Sequence, residues 1–365
     1  MTVYVGGANL HRQIPGTSQP QLPSLHGVEG SLVAASFSEL VLRDGDDAIR
    51  VHGLPLPASV DLSQVDVFLG QDQFEGGLLF DGRIQSFTDG VMTEKRYALA
   101  SSNSKGEVLV VPASTPTEAH LYPSFFALFS SPASPTLILT LPSASSSSTP
   151  SPERLTALST GPAAAHFLLL TSPSGSLYSY GDNRYGQCGP VPRLSPPPPL
   201  FNAPEEPPRV ELHHLDFFDG LFPAPPLVCG AFHSAVRTRD GSLYVFGSNK
   251  EGQLGLPAGE GGGAEPMLVE LGEGEEGEEV EMVAAGAGHT VVVTKQGEVW
   301  VAGSNSDGQL GLGDFASRPS FVRHDPLHAL LASDASPTTS SSASPRQQRV
   351  TKVLCTRWAT YFEVE

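Results

Sequence analysis

The sequence is poor in the residues that would assign it a chemistry. Three cysteines are spread over 365 residues, an odd number that implies no disulfide framework. No apolar run approaches the ~20 residues needed to span a bilayer. The first residues, MTVYVGGANLHRQ, lack the basic region and long apolar core of a signal peptide. Positive charge is scarce: 21 Lys and Arg face 39 Asp and Glu, a net charge of −18. Direct DNA or RNA binding needs a basic surface to neutralise phosphates, so none is expected. Walker A, His-Glu-x-x-His, paired Cys-x-x-Cys and Gly-x-Ser-x-Gly patterns are missing. Gly286-Ala287-Gly288 lacks a third glycine for a dinucleotide loop, and Gly259 to Gly263 is acidic, the wrong sign to cradle a phosphate. These absences predict no catalytic residue, no cofactor and no metal, in a soluble protein of the cytoplasm or nucleus that does not meet a membrane.

What the chain does contain is a repeat. Val228 to Leu256 reads VCGAFHSAVRTRDGSLYVFGSNKEGQLGL, and Val283 to Leu312 reads VAAGAGHTVVVTKQGEVWVAGSNSDGQLGL. His233, Gly241, Gly247 and Gln253 each return 56 residues later as His289, Gly297, Gly303 and Gln309. Such self-similarity is the signature of a repeat architecture. Within one copy, Asp240-Gly241 separates two apolar runs and predicts a hairpin. Residues 242–246, Ser-Leu-Tyr-Val-Phe, suit a pleated surface, with Leu243 and Val245 on one side and Tyr244 and Phe246 on the other. A single such unit cannot bury its apolar faces. A ring of units, a β-propeller, buries them and leaves only short edges.

The chain ends choose the ring over a linear stack. Tyr4, Gly7, Asn9 and Gln13 lie 240 positions before Tyr244, Gly247, Asn249 and Gln253. The N-terminus is thus the second half of a repeat. At the C-terminus, Cys355, Trp358 and Thr360 align with Cys229, Phe232 and Ser234, with Ala359 where histidine would stand. That is a first half. Together they make one blade shared by both ends, which closes a circle.

The pattern Gly-x-x-His-[Ser/Thr], a glycine, an apolar strand, then Gly-x-Asn-x-x-Gly-Gln-Leu-Gly resembles the regulator-of-chromosome-condensation repeat. The strings Pro207 to Val210, Pro266 to Val269 and Pro319 to Val322 fit it too, as does Phe217-Phe218-Asp219-Gly220-Leu221. The resemblance covers about 158 to 322 and both ends. It implies an all-β, seven-bladed propeller of about 52 residues per blade. A chain of this length is similar to the short single-propeller members: the fungal α-tubulin suppressor-like proteins and the animal condensation-repeat domain proteins. No counterpart of the founding member's basic tail is expected.

Four degenerate candidates lie at 33–53, 65–87, 96–111 and 125–141, spaced too closely for four blades. We read them as three worn blades, followed by three clear ones and the shared blade. The whole of 1–365 is expected to be one domain. Low-complexity loop insertions are expected near 143–153, 190–208, 257–281 and 333–349, too polar to offset their ordering entropy.

His166, His233 and His289 recur at one repeat position in separate blades and are expected to be structural, each bonding within its own blade. Asn183, Asn249 and Asn305 are expected in turns, and Gln187, Gln253 and Gln309 to be equally repetitive. Cys229 and Cys355 share one position and read as small buried residues. The six glutamates between Glu273 and Glu281 read as a solvated loop. Exposed turn residues that differ between copies are better candidates for recognition: Arg184-Tyr185, Lys250-Glu251 and Ser306-Asp307, together with Arg357-Trp358 at the closure. Packing of the last blade is the favoured role for Trp358.

The function expected is a non-catalytic protein-interaction scaffold, monomeric itself and held in a hetero-complex. The resemblance to the fungal proteins implies an accessory to a small zinc-bearing electron donor in diphthamide synthesis and tRNA wobble-uridine modification. The animal proteins imply a histone demethylase-type partner, and the founding member implies guanine-nucleotide exchange on a small GTPase.

Overall fold

A computed structural model describes residues 1–9, 13–45, 48–57, 60–70, 72–130, 134–142, 152–161, 163–190, 207–257, 260–272, 277–333 and 348–365. Most of residues 143–153, 190–208 and 333–349, expected to be loop insertions, lie outside the described residues.

Seven sheets form the seven blades of a propeller. Blade 1 comprises Ser31–Ala35, Glu39–Arg43 and Ile49–Gly53, and blade 2 comprises Val65–Leu69, Gly76–Leu79 and Ile84–Ser86. Blade 3 comprises Tyr97–Ser102, Val108–Pro112, Glu118–Tyr122 and Leu137–Thr140. Blade 4 comprises Arg154–Ser159, His166–Ser172, Leu177–Gly181 and His213–His214. Blade 5 comprises Pro223–Cys229, His233–Thr238, Leu243–Gly247 and Gly263–Val269. Blade 6 comprises Val280–Ala285, His289–Thr294, Val299–Gly303 and Arg318–Arg323. Blade 7 is built from both ends, in the order Val350–Cys355, Ala359–Val364, Thr2–Ala8, Gln21–Glu29.

The shared blade forms as the alignment of the termini requires. Thr2 to Gly7 pair antiparallel with Val364 to Ala359. Val3, Val5 and Tyr361 are fully buried in the core between this blade and blade 1. The first strand of each blade lies nearest the axis, and first strands of neighbouring blades pack closely at every seam but that of blades 1 and 2.

The four worn candidates resolve into three blades because the last two are parts of one sheet. Phe125–Phe129 is a short 3-10 turn whose Phe125 and Leu128 are buried, and Leu137–Thr140 is the fourth strand of blade 3. A fifth, parallel strand, Arg209–Glu211, joins that edge from the far side of blade 4. The stretch 257–281 is not loop throughout, since Gly263–Val269 is the outer strand of blade 5. It alternates poorly in burial, which is why its Gly/Glu surroundings hid it. Past blade 6, the helix Asp325–Ser333 seats Leu327 and Leu331 on the core shared with blade 7.

Candidate partner-binding face

The repeat's conserved-looking residues build the disc, and what they leave over builds its face. Each repeated histidine is fully buried, and its bond leaves its own blade. His166 Nε2 lies 2.8 Å from Ser234 Oγ, His233 Nε2 2.9 Å from Thr290 Oγ1, and His289 Nε2 3.0 Å from Thr360 Oγ1. Each hydroxyl in turn donates to a main-chain carbonyl of the histidine's own blade: Gln187, Gln253 and Gln309 respectively, at 2.8, 2.6 and 2.7 Å. The hydroxyl's one proton goes to the carbonyl, so the imidazole must be the donor and carry its proton on Nε2. This corrects the expectation of bonds within one blade. The histidine and the following Ser or Thr are two halves of an inter-blade clasp.

The same geometry explains the glycine three residues earlier. A Cβ on Gly230 would lie 2.0 Å from His233 Cε1, and one on Gly286 2.0 Å from His289 Cε1. The ring sits over the bare Cα. Burial pushes His166 down to about 4, and His233 and His289 to about 3, so all three are neutral at pH 7.

The asparagines and glutamines hold the loop after the third strand. Asn249 Oδ1 accepts from Leu254 N at 3.0 Å and Asn305 Oδ1 from Leu310 N at 2.8 Å. Gln253 and Gln309 each accept from the residue two before them, both at 2.9 Å. The loop is thereby rigid, while the two residues before Gly-Gln point away from it.

Strand order places all eight candidate residues on one face. His233 pairs with Gly247, His289 with Gly303 and Ala359 with Gly7. The loop before each histidine position and the loop after each third strand therefore emerge together. On this histidine face the loops around the axis are linked directly: Ala231 N donates to Ala287 O and Ala287 N to Arg357 O, both at 3.1 Å.

The structure brings four exposed or half-buried side chains together across the seam of blades 4 and 5. The Tyr185 and Phe232 rings meet edge to face with centroids 5.0 Å apart. Lys250 Nζ lies 4.7 Å from the Tyr185 centroid, and Arg184 Cζ 5.7 Å from that of Phe232. Asp182 binds Arg184 through 2.8–3.2 Å bonds. Burial raises the Asp182 carboxyl pKa, but the Arg184 bonds outweigh it and leave it below the usual range. A second cluster sits at the junction of blades 7, 1 and 2. Trp358 meets Phe37 edge to face at 5.0 Å, Arg357 Cζ lies 5.4 Å over the Trp358 ring, and Arg357 faces Asp72 at 3.5 Å.

Glu251 reaches instead over Gly288, and Asp307 accepts from Gln21 at 2.8 Å, so neither joins these clusters. Ser306 is exposed and bonds only its neighbour Asp307. Phe232, Phe37 and Asp72 were not singled out by sequence reasoning. The signal for Phe232 was present, since it occupies the repeat position of Trp358.

A cavity of about 370 Å³ on the axis is lined by the first strands of blades 4 to 7, including Cys229, Met282 and Cys355. Burial pushes both thiols up, which keeps them inert. Among the described residues, no group of three or more His, Cys, Asp or Glu is placed to hold a metal. Nor is any helix among them long and apolar enough to cross a membrane.

The model of the regulator of chromosome condensation (RCC1) repeat matches residues 240–293 and 296–360, and a second model of that repeat matches 282–309. The chain is 38% identical over 152 residues to the X-linked retinitis pigmentosa GTPase regulator homolog of Caenorhabditis elegans, covering 41% of this chain and 10% of that protein. It is 34% identical over 139 residues to the secretion-regulating guanine nucleotide exchange factor of Bos taurus, covering 38% of this chain and 26% of that one. The matched stretch thus spans only about a tenth of the nematode relative. In fold, the disc is similar to Prp20p of Saccharomyces cerevisiae, with TM-score 0.68 at 13% identity, covering 99% of this chain and 90% of that one. That crystal structure was described together with the protein's binding to Gsp1p and histones.

Proposed function

Since this chain belongs to the RCC1-repeat family of β-propellers, we propose that it is a non-catalytic interaction module whose histidine face holds a protein partner. The observation that carries this reading is the Arg184–Tyr185–Phe232–Lys250 cluster. Tyr, Trp and Arg dominate the residues that carry binding energy at protein interfaces. Here they stand on rigid loops over a seam of the disc, in a chain otherwise dominated by acid. The Arg357–Trp358–Phe37 cluster adds a second anchor on the same face. The module acts as a monomeric disc within a hetero-complex of the cytoplasm or nucleus.

Nucleotide exchange on a small GTPase is the second reading. It is supported by the names of two relatives, a guanine nucleotide exchange factor of Bos taurus and a GTPase regulator homolog of Caenorhabditis elegans. The accessory role beside a small zinc-bearing electron donor is a narrower form of the first reading, and so is a demethylase-type partner. Both rest on the resemblance to short single-propeller proteins alone.

One experiment separates them. The tagged chain and its Arg184→Ala/Tyr185→Ala variant are used to recover partners from the cell of origin, identified by mass spectrometry. Recovery of a small zinc protein or of a demethylase, lost with the variant, supports the module reading. A nucleotide-free GTPase, together with accelerated release of a fluorescent GDP analogue from it, moves the assignment to exchange. Retention of every partner by the variant overturns the assignment of this face.

A further inference from the structure

We propose that the outer edge of blade 1, the strand Ile49–Gly53, is a docking site for an extended segment of a partner protein that alternates apolar and acidic residues. This site lies on the rim of the disc and is independent of the histidine face.

Blade 1 ends one strand early. Blades 4 to 7 each lay a fourth strand against the third, and blade 3 adds a fifth. Blade 2 covers its third strand with a short turn, Ser86 N donating to Val91 O and Thr93 N to Ile84 O, both at 2.9 Å. Blade 1 has three strands, and no main-chain bond reaches the outer side of its third from any described residue.

The alternation of antiparallel bonds says which groups are left over. Asp44 N donates to Ala48 O and Leu54 N to Ser38 O. Between these two bonds, Arg50 and His52 therefore spend their N–H and C=O on Leu42 and Leu40, their partners in register. Ile49, Val51 and Gly53 turn theirs outward. They correspond to Leu243, Val245 and Gly247 of blade 5, which pair with Val269, Met267 and Gly263. Gly53 and Gly247 share the same crowding: a Cβ would lie 2.0 Å from Ser38 O in one and 2.4 Å from Phe232 O in the other.

The chain cannot fill this edge itself in the same way. The segment that follows reads Leu54-Pro55-Leu56-Pro57, and two prolines remove two of the donors a ladder needs. The outer strands of blades 5, 6 and 7 carry Pro266, Pro319 and Pro23, a common guard against further pairing. Ile49–Gly53 carries none.

The side chains define the occupant. Ile49 and Val51 pack toward the core shared with blade 2, so an added strand places apolar residues beside them. Arg50 and His52 lie on the other side. Arg50 is exposed and held by Asp44 and by Glu29 O, and His52 Nε2 is buried with no hydrogen-bond partner among the described residues. Carboxylates between the apolar positions complement Arg50, the charged member of this pair. The titratable and charged groups facing His52 are Arg50 and Asp44, with burial the largest influence, and the ring is held neutral, able to accept or donate.

The outer strand of blade 5 supplies the frame of a probe: residues 263–271 with Pro266 and Leu268, the positions that would face His52 and Arg50, replaced by glutamate, giving the synthetic peptide GAEEMEVEL labelled with fluorescein. Its binding to the full chain is read by fluorescence anisotropy, and amide hydrogen exchange is followed with and without peptide. In the free protein, the Val51 amide should exchange at least about tenfold faster than those of Arg50 and His52. Peptide should bind and slow Val51 by a similar factor. Val51→Pro removes an outward donor and no bond of the ladder, at the cost of some packing against the blade 2 core, so the disc should fold while binding weakens at least about tenfold. Arg50→Glu removes no bond of the β-ladder, only side-chain contacts to Asp44 and Glu29 O, and should weaken binding about threefold or more. The proposal is overturned if the peptide leaves anisotropy unchanged up to millimolar concentration. Equal affinity for wild type and both variants, or a Val51 amide as protected as Arg50 in the free chain, overturns it as well.

Discussion

Blades 4 to 6 and blades 1 to 3 solve the same packing problem with different chemistry. In the first group a neutral histidine reaches the next blade's hydroxyl, which reaches back to a glutamine carbonyl, three times in succession. In the second group the equivalent of His289 is Glu39, buried and bonded to Ser38 Oγ at 2.9 Å and to the Ser36 hydroxyl. The seams there use main-chain and hydroxyl bonds of no fixed pattern, such as Gly70 N to Ser102 Oγ at 2.7 Å and Ser38 N to Asp72 O at 3.1 Å. At the join, blade 7 carries the last receiving hydroxyl, Thr360, and Ala359 in place of a further histidine. Lys352 Nζ and Glu363 replace it: the lysine donates to Leu32 O and Val33 O at 2.8 and 3.1 Å, and the carboxylate accepts from Leu32 N. A ring thus needs every seam closed but not every seam closed alike.

The comparison can be broken most severely at the shared blade. Deleting residues 1–14 strips a central strand, removes the fully buried Val3 and Val5 and exposes their buried neighbour Tyr361. The loss should exceed about 5 kcal/mol, comparable with the whole stability of a domain. Calorimetry should show the cooperative transition of both halves gone; an unchanged Tm would refute the ring closure.

Acid should divide the two halves next. Burial holds the three clasp histidines at about 4, 3 and 3 in the folded state, well below the usual 6.5 of histidine. A depressed histidine means the folded state binds fewer protons. Its stability is therefore present in full above about pH 6.5 and is lost as the pH falls toward 4 and then 3. Each ring stands to cost roughly 3–5 kcal/mol at the end of that range. Amide exchange between pH 7 and 4 should show blades 4 to 6 opening before blades 1 to 3. The variant His289→Asn should flatten the pH dependence of Tm.

Single glycines sharpen the contrast. Gly286→Ala would set a methyl 2.0 Å from His289 and 2.6 Å from Thr356 O, with nowhere to move. About 2–3 kcal/mol of destabilisation should appear in urea unfolding. Gly45→Ala in the hairpin of blade 1 meets nothing within 4 Å, and its change should stay within about 0.5 kcal/mol. The smallest effect should be Lys250→Ala, an exposed cation over Tyr185, worth about 0.5 kcal/mol or less in stability. A large shift in Tm there would mean that the face cluster is structural after all.

Much of this was legible in the chain. The repeat from Val228 to Leu312, the turn glycines and the split blade follow from spacing, because backbone geometry repeats with the residues that permit it. Blades 1 to 3 were harder to count, since their seams depend on pairings that leave no periodic residue. Phe125–Phe129 and Leu137–Thr140 look like a unit only until Glu118–Tyr122 pairs with the second of them. The eight face residues could be named from variable turn positions, but not which of them meet. Arg184 and Tyr185 find Phe232 on the next blade; Ser306 and Asp307 find no ring.

The sequence by itself determined the repeat, the propeller, its closure by the two ends and the residues that rigidify each loop. All of these are local or periodic, and local conformational preference reports them directly. Only the tertiary structure decided that the histidine clasps its neighbour, that Lys352 and Glu363 take over where the clasp stops, and that blade 1 has an open edge. Each of those depends on which residue of one blade faces which residue of the next. That proximity between distant positions is set by the curvature of the whole ring and is not encoded in any one repeat.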